Sequence, residues 1–86
     1  MDLSELQYDV CQIEKLRGYS EETVGDKFIL LMEENGELAK AVWEGKGVED
    51  IAAEIADVIF LITCIAKRYE IDLNTAIREK FNDFYK

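Results

Sequence analysis

Two pairs of acids are the residues best placed to do chemistry: Glu34 with Glu37, and Glu54 with Asp57. Each pair is spaced i,i+3. On a helix its members lie one turn apart on the same side, with Cβ atoms roughly 5–6 Å from each other. Shifting the first segment by twenty residues superimposes Glu34 on Glu54 and Glu37 on Asp57, and carries Leu31 onto Ile51, Leu38 onto Val58 and Val42 onto Ile62. Two helices therefore repeat one design, in which acids edge an apolar stripe. Surface acids usually stand opposite such a stripe and often meet a base at i+4. Here Glu34 meets Leu38, Glu54 meets Val58 and Asp57 meets Leu61. If the helices pack antiparallel through matching stripes, four carboxylates converge, and such a group is unstable unless it is protonated or bridged by a cation. An all-oxygen set suits Mg²⁺ or Mn²⁺, magnesium being the expected ion, and no Ca²⁺-loop spacing is present.

The rest of the chemical inventory narrows the choice. The chain has no histidine, which removes Ser-His and Cys-His nucleophile pairs and histidine-based zinc or di-iron sites. Cys11 and Cys64 stand 53 positions apart with no CxxC, so both are expected to be reduced, buried and hydrophobe-like. Nineteen acids against ten bases give a net charge of −9, the wrong sign for a protein that tracks a nucleic-acid polymer. Any polyanion handled here needs a cation between it and the protein.

The elements that must hold these acids follow from periodicity. There is no proline, 49% of the residues are apolar and 34% are charged, and repeats of three and four run nearly end to end, so the expected class is all-α. Leu3, Leu6, Val10, Ile13 and Leu16 predict a first helix, capped by Asp2 or Ser4 and ended by Gly18. Glu14, in that helix, stands outside the acid constellation, and Glu14→Gln is the control for substitutions within it. Residues Ser20 to Asp26 restart the chain, and Val24, Phe28, Leu31, Leu38 and Val42 carry a second helix toward the hinge of Gly45 and Gly47. A third runs from about Val48 to Tyr69 with Ile51, Ile55, Val58, Ile62, Ala66 and Tyr69 inward. Asp72 or Asn74 caps a short fourth helix whose Leu73, Ile77, Phe81 and Phe84 are expected to close the bundle. Short connections make the neighbours antiparallel. Residues 1–86 are too few for more than one domain, and their apolar stripes on several azimuths call for a homodimer or homotetramer. The longest uncharged run, Val58 to Ala66, is nine residues, against roughly 20 for a membrane span. The first ten residues lack the basic and then apolar layout of a secretory signal. The expected location is the cytoplasm, with no membrane partner.

The segment Glu33-Glu34-Asn35-Gly36-Glu37-Leu38-Ala39 followed by Glu54-Ile55-Ala56-Asp57-Val58 resembles the EExxE…ExxD signature of the MazG-like all-α nucleoside triphosphate pyrophosphohydrolases. The likeness extends to Arg17-Gly18-Tyr19 and to Arg78-Glu79-Lys80-Phe81-Asn82, which is nearly the whole chain. It implies antiparallel helices assembled as a dimer or dimer of dimers, Mg²⁺ as cofactor, and hydrolysis of a nucleoside or deoxynucleoside triphosphate to the monophosphate and pyrophosphate, a house-cleaning of the nucleotide pool. By position, Glu34, Glu37, Glu54 and Asp57 correspond to the metal ligands. Related dimeric dUTPases and phosphoribosyl-ATP pyrophosphohydrolases share the acidic helices, and kinship of fold does not select the base.

Carboxylates suffice for such a reaction, since phosphoryl transfer needs positioning and charge neutralisation more than a protein nucleophile. Glu33, rotated about 100° from Glu34 on the helix, is the candidate to hold or deprotonate the water. The family's basic-plus-asparagine tail points to Arg78 and Lys80 for the phosphates, ahead of Lys46, Lys67 and Arg68, with Asn82 as a polar contact. Trp43 and Tyr19, near helix ends, are the rings available to a base. Two other readings are an oligomerisation module whose acids face solvent and a Mg²⁺-dependent hydrolase of another phosphate ester.

Overall fold

A computed structural model describes residues 2–19 and 21–85. Four helices follow one another: α1 (Leu3–Leu16), α2 (Val24–Trp43), α3 (Val48–Arg68) and α4 (Leu73–Lys80). Among the described residues there is no strand. Of the two proposed caps for α1, Asp2 is the one used, accepting from the Glu5 N–H. Ser20 lies outside the described residues. The restart it was expected to begin is made by Thr23, whose side chain accepts from the Asp26 N–H while Asp26 accepts from the Thr23 N–H, closing a capping box on α2. Gly18 and Gly45 adopt φ of 74° and 68°, the left-handed turn that ends a helix and that glycine enters without a Cβ penalty.

The α2–α3 hairpin dominates the packing, α1 lies against α3, and α4 touches mainly α1. One antiparallel register along the hairpin sets Glu34 near Asp57 and Lys27 near Cys64. The apolar residues fully enclosed by these helices are few: Val10, Leu31, Ala41, Leu61, Cys64 and Ala66. The expected stripes are only half covered. In α3, Ile55 and Ile62 remain exposed, as does its C-cap Tyr69, and Phe28 and Val42 do so in α2.

The fourth helix departs from expectation. Ile77, Phe81 and Phe84 are exposed, Phe84 at 80%, so α4 does not close the bundle over α2 and α3. It is only eight residues long, and its attachment is polar. The Gln7 side chain donates to the Ile71 carbonyl and accepts from the Leu73 N–H, both at 2.8 Å, hanging the start of α4 on the first turns of α1. The result is an open subunit. Its radius of gyration is 14.3 Å, against about 12 Å for a compact chain of this length. Its accessible surface is 6452 Å², against about 5,200 Å² for a folded monomer of this mass.

Candidate metal centre and adjoining cleft

Helix α2 presents Glu34 and helix α3 presents Glu54 and Asp57, and one carboxylate oxygen from each lies within 4.8 Å of the others. Glu34 and Glu54 are half-buried and Asp57 is exposed. Burial pushes the Glu34 carboxyl above its ordinary range, and the neighbouring charges of Asp57 and Glu54, a hydrogen bond with Glu54, and the charge of Glu37 push the same way. No base compensates: among the described residues none of these acids is in an ion pair. Three oxygens of one sign, drawn together with a carboxyl that resists ionising, make a fitting cage for a hard dication, which would relieve both the repulsion and the desolvation.

Glu37 stands one turn along α2 from Glu34. It is exposed, lies outside the 4.8 Å group, and lines with Glu54 and Lys46 a neighbouring groove of about 340 Å³. Glu33 is exposed beside Glu34. Gly36, between the paired acids, faces open space, and a Cβ there would meet nothing within 4 Å. Close approach of another helix within the subunit is therefore not what puts a glycine there.

From this cluster a cleft of about 880 Å³ runs along α2, a size that takes a nucleotide-sized ligand. Glu34 and Asp57 edge one end, and Arg17, Tyr19, Glu22 and Lys27 line the other. Leu6, Val10, Leu30, Ile59 and Phe60 wall it with apolar surface. Lys27 and Glu34 stand seven positions apart on the helix, about 10 Å along the axis.

At that far end lies a second charged group. Lys27 is 1% exposed and Glu14 is 4% exposed. The Lys27 ammonium reaches Glu22 Oε1 at 2.7 Å and Glu14 Oε2 at 3.0 Å, and Arg68 Nη2 meets the same Glu14 oxygen at 3.3 Å. The ammonium also sits 5.3 Å from the centre of the Tyr19 ring, within cation–π range. Burial alone would lower the Lys27 pKa, but its hydrogen bonds to Glu22 and Glu14 outweigh burial and hold it above the ordinary lysine value. Glu14 is thus not an ordinary solvated acid. Its signal was readable: Glu14 follows Val10 at i+4 and Lys27 precedes Leu31 at i+4, so each charge stands on its helix's apolar stripe.

The remaining candidates lie elsewhere. Trp43, the last residue of α2, is 90% exposed. The Arg78 guanidinium lies 4.8 Å from the centre of the Tyr85 ring. Lys80 and Asn82 are exposed at and beyond the end of α4. None of these four lines the cleft or the Glu37 groove. Cys64 is fully enclosed, its thiol pushed up to about 11 mainly by burial, whereas Cys11 is half-buried; both are free thiols. Among the described residues, no helix is long and apolar enough to cross a membrane.

Fold and site together define an all-helical protein whose acidic hairpin fits a divalent cation and opens onto a ligand-sized cleft. Residues 25–84 match the model of the MazG nucleotide pyrophosphohydrolase domain, and the chain belongs to that family. Membership supports nucleotide pyrophosphohydrolase activity in general, in a family that is generally dependent on divalent metal. No curated protein and no solved structure matches the chain.

Proposed function

We propose that this protein is a Mg²⁺-dependent hydrolase that cleaves a nucleoside or deoxynucleoside triphosphate to the monophosphate and pyrophosphate. The observation that carries the reading is the gathering of Glu34, Glu54 and Asp57 within 4.8 Å at the end of a nucleotide-sized cleft in a chain of this family. These three residues, with Glu37 one turn away, would hold the cation. When bound, it supplies neutralisation of the triphosphate oxygens and a lowered pKa for water. Glu33, exposed beside the cluster, accepts the proton of the attacking water, whose oxygen adds to the α-phosphorus as pyrophosphate leaves.

The cationic and aromatic contacts are proposed to come from a neighbouring copy. Arg78 and Lys80 with Asn82 serve the phosphates and Trp43 supplies a ring, and all four are exposed on the subunit, away from its own cleft. A homodimer or homotetramer also covers the apolar side chains that one open subunit leaves in water. The deciding experiment is a screen of canonical and modified triphosphates for pyrophosphate release with and without Mg²⁺. Release of pyrophosphate supports the reading, and orthophosphate alone, or no Mg²⁺-dependent product, refutes it.

A further inference from the structure

The far end of the cleft is chemically unlike its metal-holding end. The turn after α1 brings Tyr19 and Glu22 together, with the Glu22 N–H donating to the Tyr19 carbonyl at 3.2 Å. Lys27 then grips Glu22 through Oε1 at 2.7 Å. Among the described residues no other hydrogen bond is made by the Glu22 side chain, and Glu22 lines the cleft. A carboxylate fixed by a buried ammonium is a rigid acceptor that cannot donate. With phosphates at the Glu34 and Asp57 end, about 10 Å away along α2, a nucleoside laid along the apolar walls brings its base to Tyr19 and Glu22.

We propose that Glu22 is the base-selecting residue, its carboxylate accepting a hydrogen bond from an exocyclic amino group of the base. The substrate class is then the triphosphates of amino-bearing bases, because a carbonyl at the same position meets a carboxylate with no proton between them. Resting on the pyrophosphohydrolase activity proposed above, this selectivity is read from paired substrates in which that amino group is exchanged for a carbonyl and the adjoining ring nitrogen gains a proton: dCTP against dUTP, and dATP against dITP.

The wild-type protein is expected to favour the amino member of each pair in kcat/KM. In Glu22→Gln the amide still accepts from Lys27 but can also donate to a carbonyl, so the preference should fall by about 10-fold or more, the discrimination of one well-placed contact to a base. Equal loss on both members of a pair would make Glu22 a structural residue and overturn the proposal. Wild-type protein with no amino preference overturns it without need of any variant. Both of those failures leave pyrophosphate release intact, whereas failure of the underlying activity shows as no release from any of the four nucleotides.

Discussion

The two charged groups on the α2–α3 hairpin are built on opposite principles. Around Lys27, two carboxylates meet two cations, and the buried charges satisfy one another. Around Glu34, carboxylates meet only carboxylates, and a half-buried acid is held above its ordinary pKa. The first group is balanced in charge as folded, and its buried pair of Glu14 and Lys27 can serve as scaffold while Glu22 faces the cleft. The second is unbalanced as folded, and a bound cation would relieve its repulsion. Balanced and unbalanced charge thus stand at two ends of one cleft, about 10 Å apart along α2.

The contrast is broken most severely at the acidic end. Glu34→Gln, Glu54→Gln and Asp57→Asn should each abolish pyrophosphate release while leaving the metal-free protein as stable as before or more so, because each removes a like charge. Activity assays paired with thermal melts check this, and near wild-type turnover at saturating Mg²⁺ would strike that residue from the ligand set. Next in size, Glu33→Gln should keep Mg²⁺ binding but slow turnover by about 10²- to 10⁴-fold, as for a lost general base. Hydrolysis by the wild type in ¹⁸O-water should label the monophosphate and not the pyrophosphate.

At the balanced end the expected loss is in folding. Glu14→Gln or Lys27→Met strands a buried charge and should cost about 3–5 kcal/mol, seen as a lower denaturant midpoint without any need for substrate. The same group has an alkaline limit. The Lys27 pKa is raised in the folded state, so its stabilisation is full below the unfolded value of 10.5 and drains away as pH climbs through the folded value. Lys27→Met should lack that part of the alkaline transition.

Two smaller effects sharpen the comparison. Mg²⁺ at a hundred times its dissociation constant should stabilise the wild type by about 2.7 kcal/mol through mass action, and the shift should vanish in Asp57→Asn but persist in Glu22→Gln. Gly36→Ala places a methyl group in open space and should add about 1 kcal/mol to the metal-free protein by helix propensity. If activity falls while stability rises, Gly36 is there to admit a ligand or a neighbouring copy.

Four helices and the acid pairing were legible because both depend on periodicity: a three-and-four repeat declares a helix, and two i,i+3 pairs at a common offset declare a shared edge. The course of α4 was not. Phe81 and Phe84 look like core by residue type, but nothing in the pattern says that Gln7 fastens the start of α4 to α1 and leaves both rings outside. Each of Glu14 and Lys27 was readable as a charge on an apolar stripe, but their pairing was hidden for a related reason. A charge on an apolar stripe is read as an edge residue until its partner on another helix is known, and Lys27 finds Glu14 across thirteen residues of chain and a turn. The cleft escaped notice because it is a space between three helices, and no single helix's sequence describes it.

The two thiols also differ in a way that can be counted. Cys64 has no exposed surface and a thiol pushed up to about 11, while Cys11 is half-buried beside a groove that Lys15 and Lys67 also line. An alkylating reagent at neutral pH therefore meets one reactive site in the native chain and two once the hairpin opens. The mass spectrum of a timed alkylation becomes a clock for opening of the helix pair, with Cys11 as its internal standard and Cys64 as its hand, and no engineered probe is needed to read it.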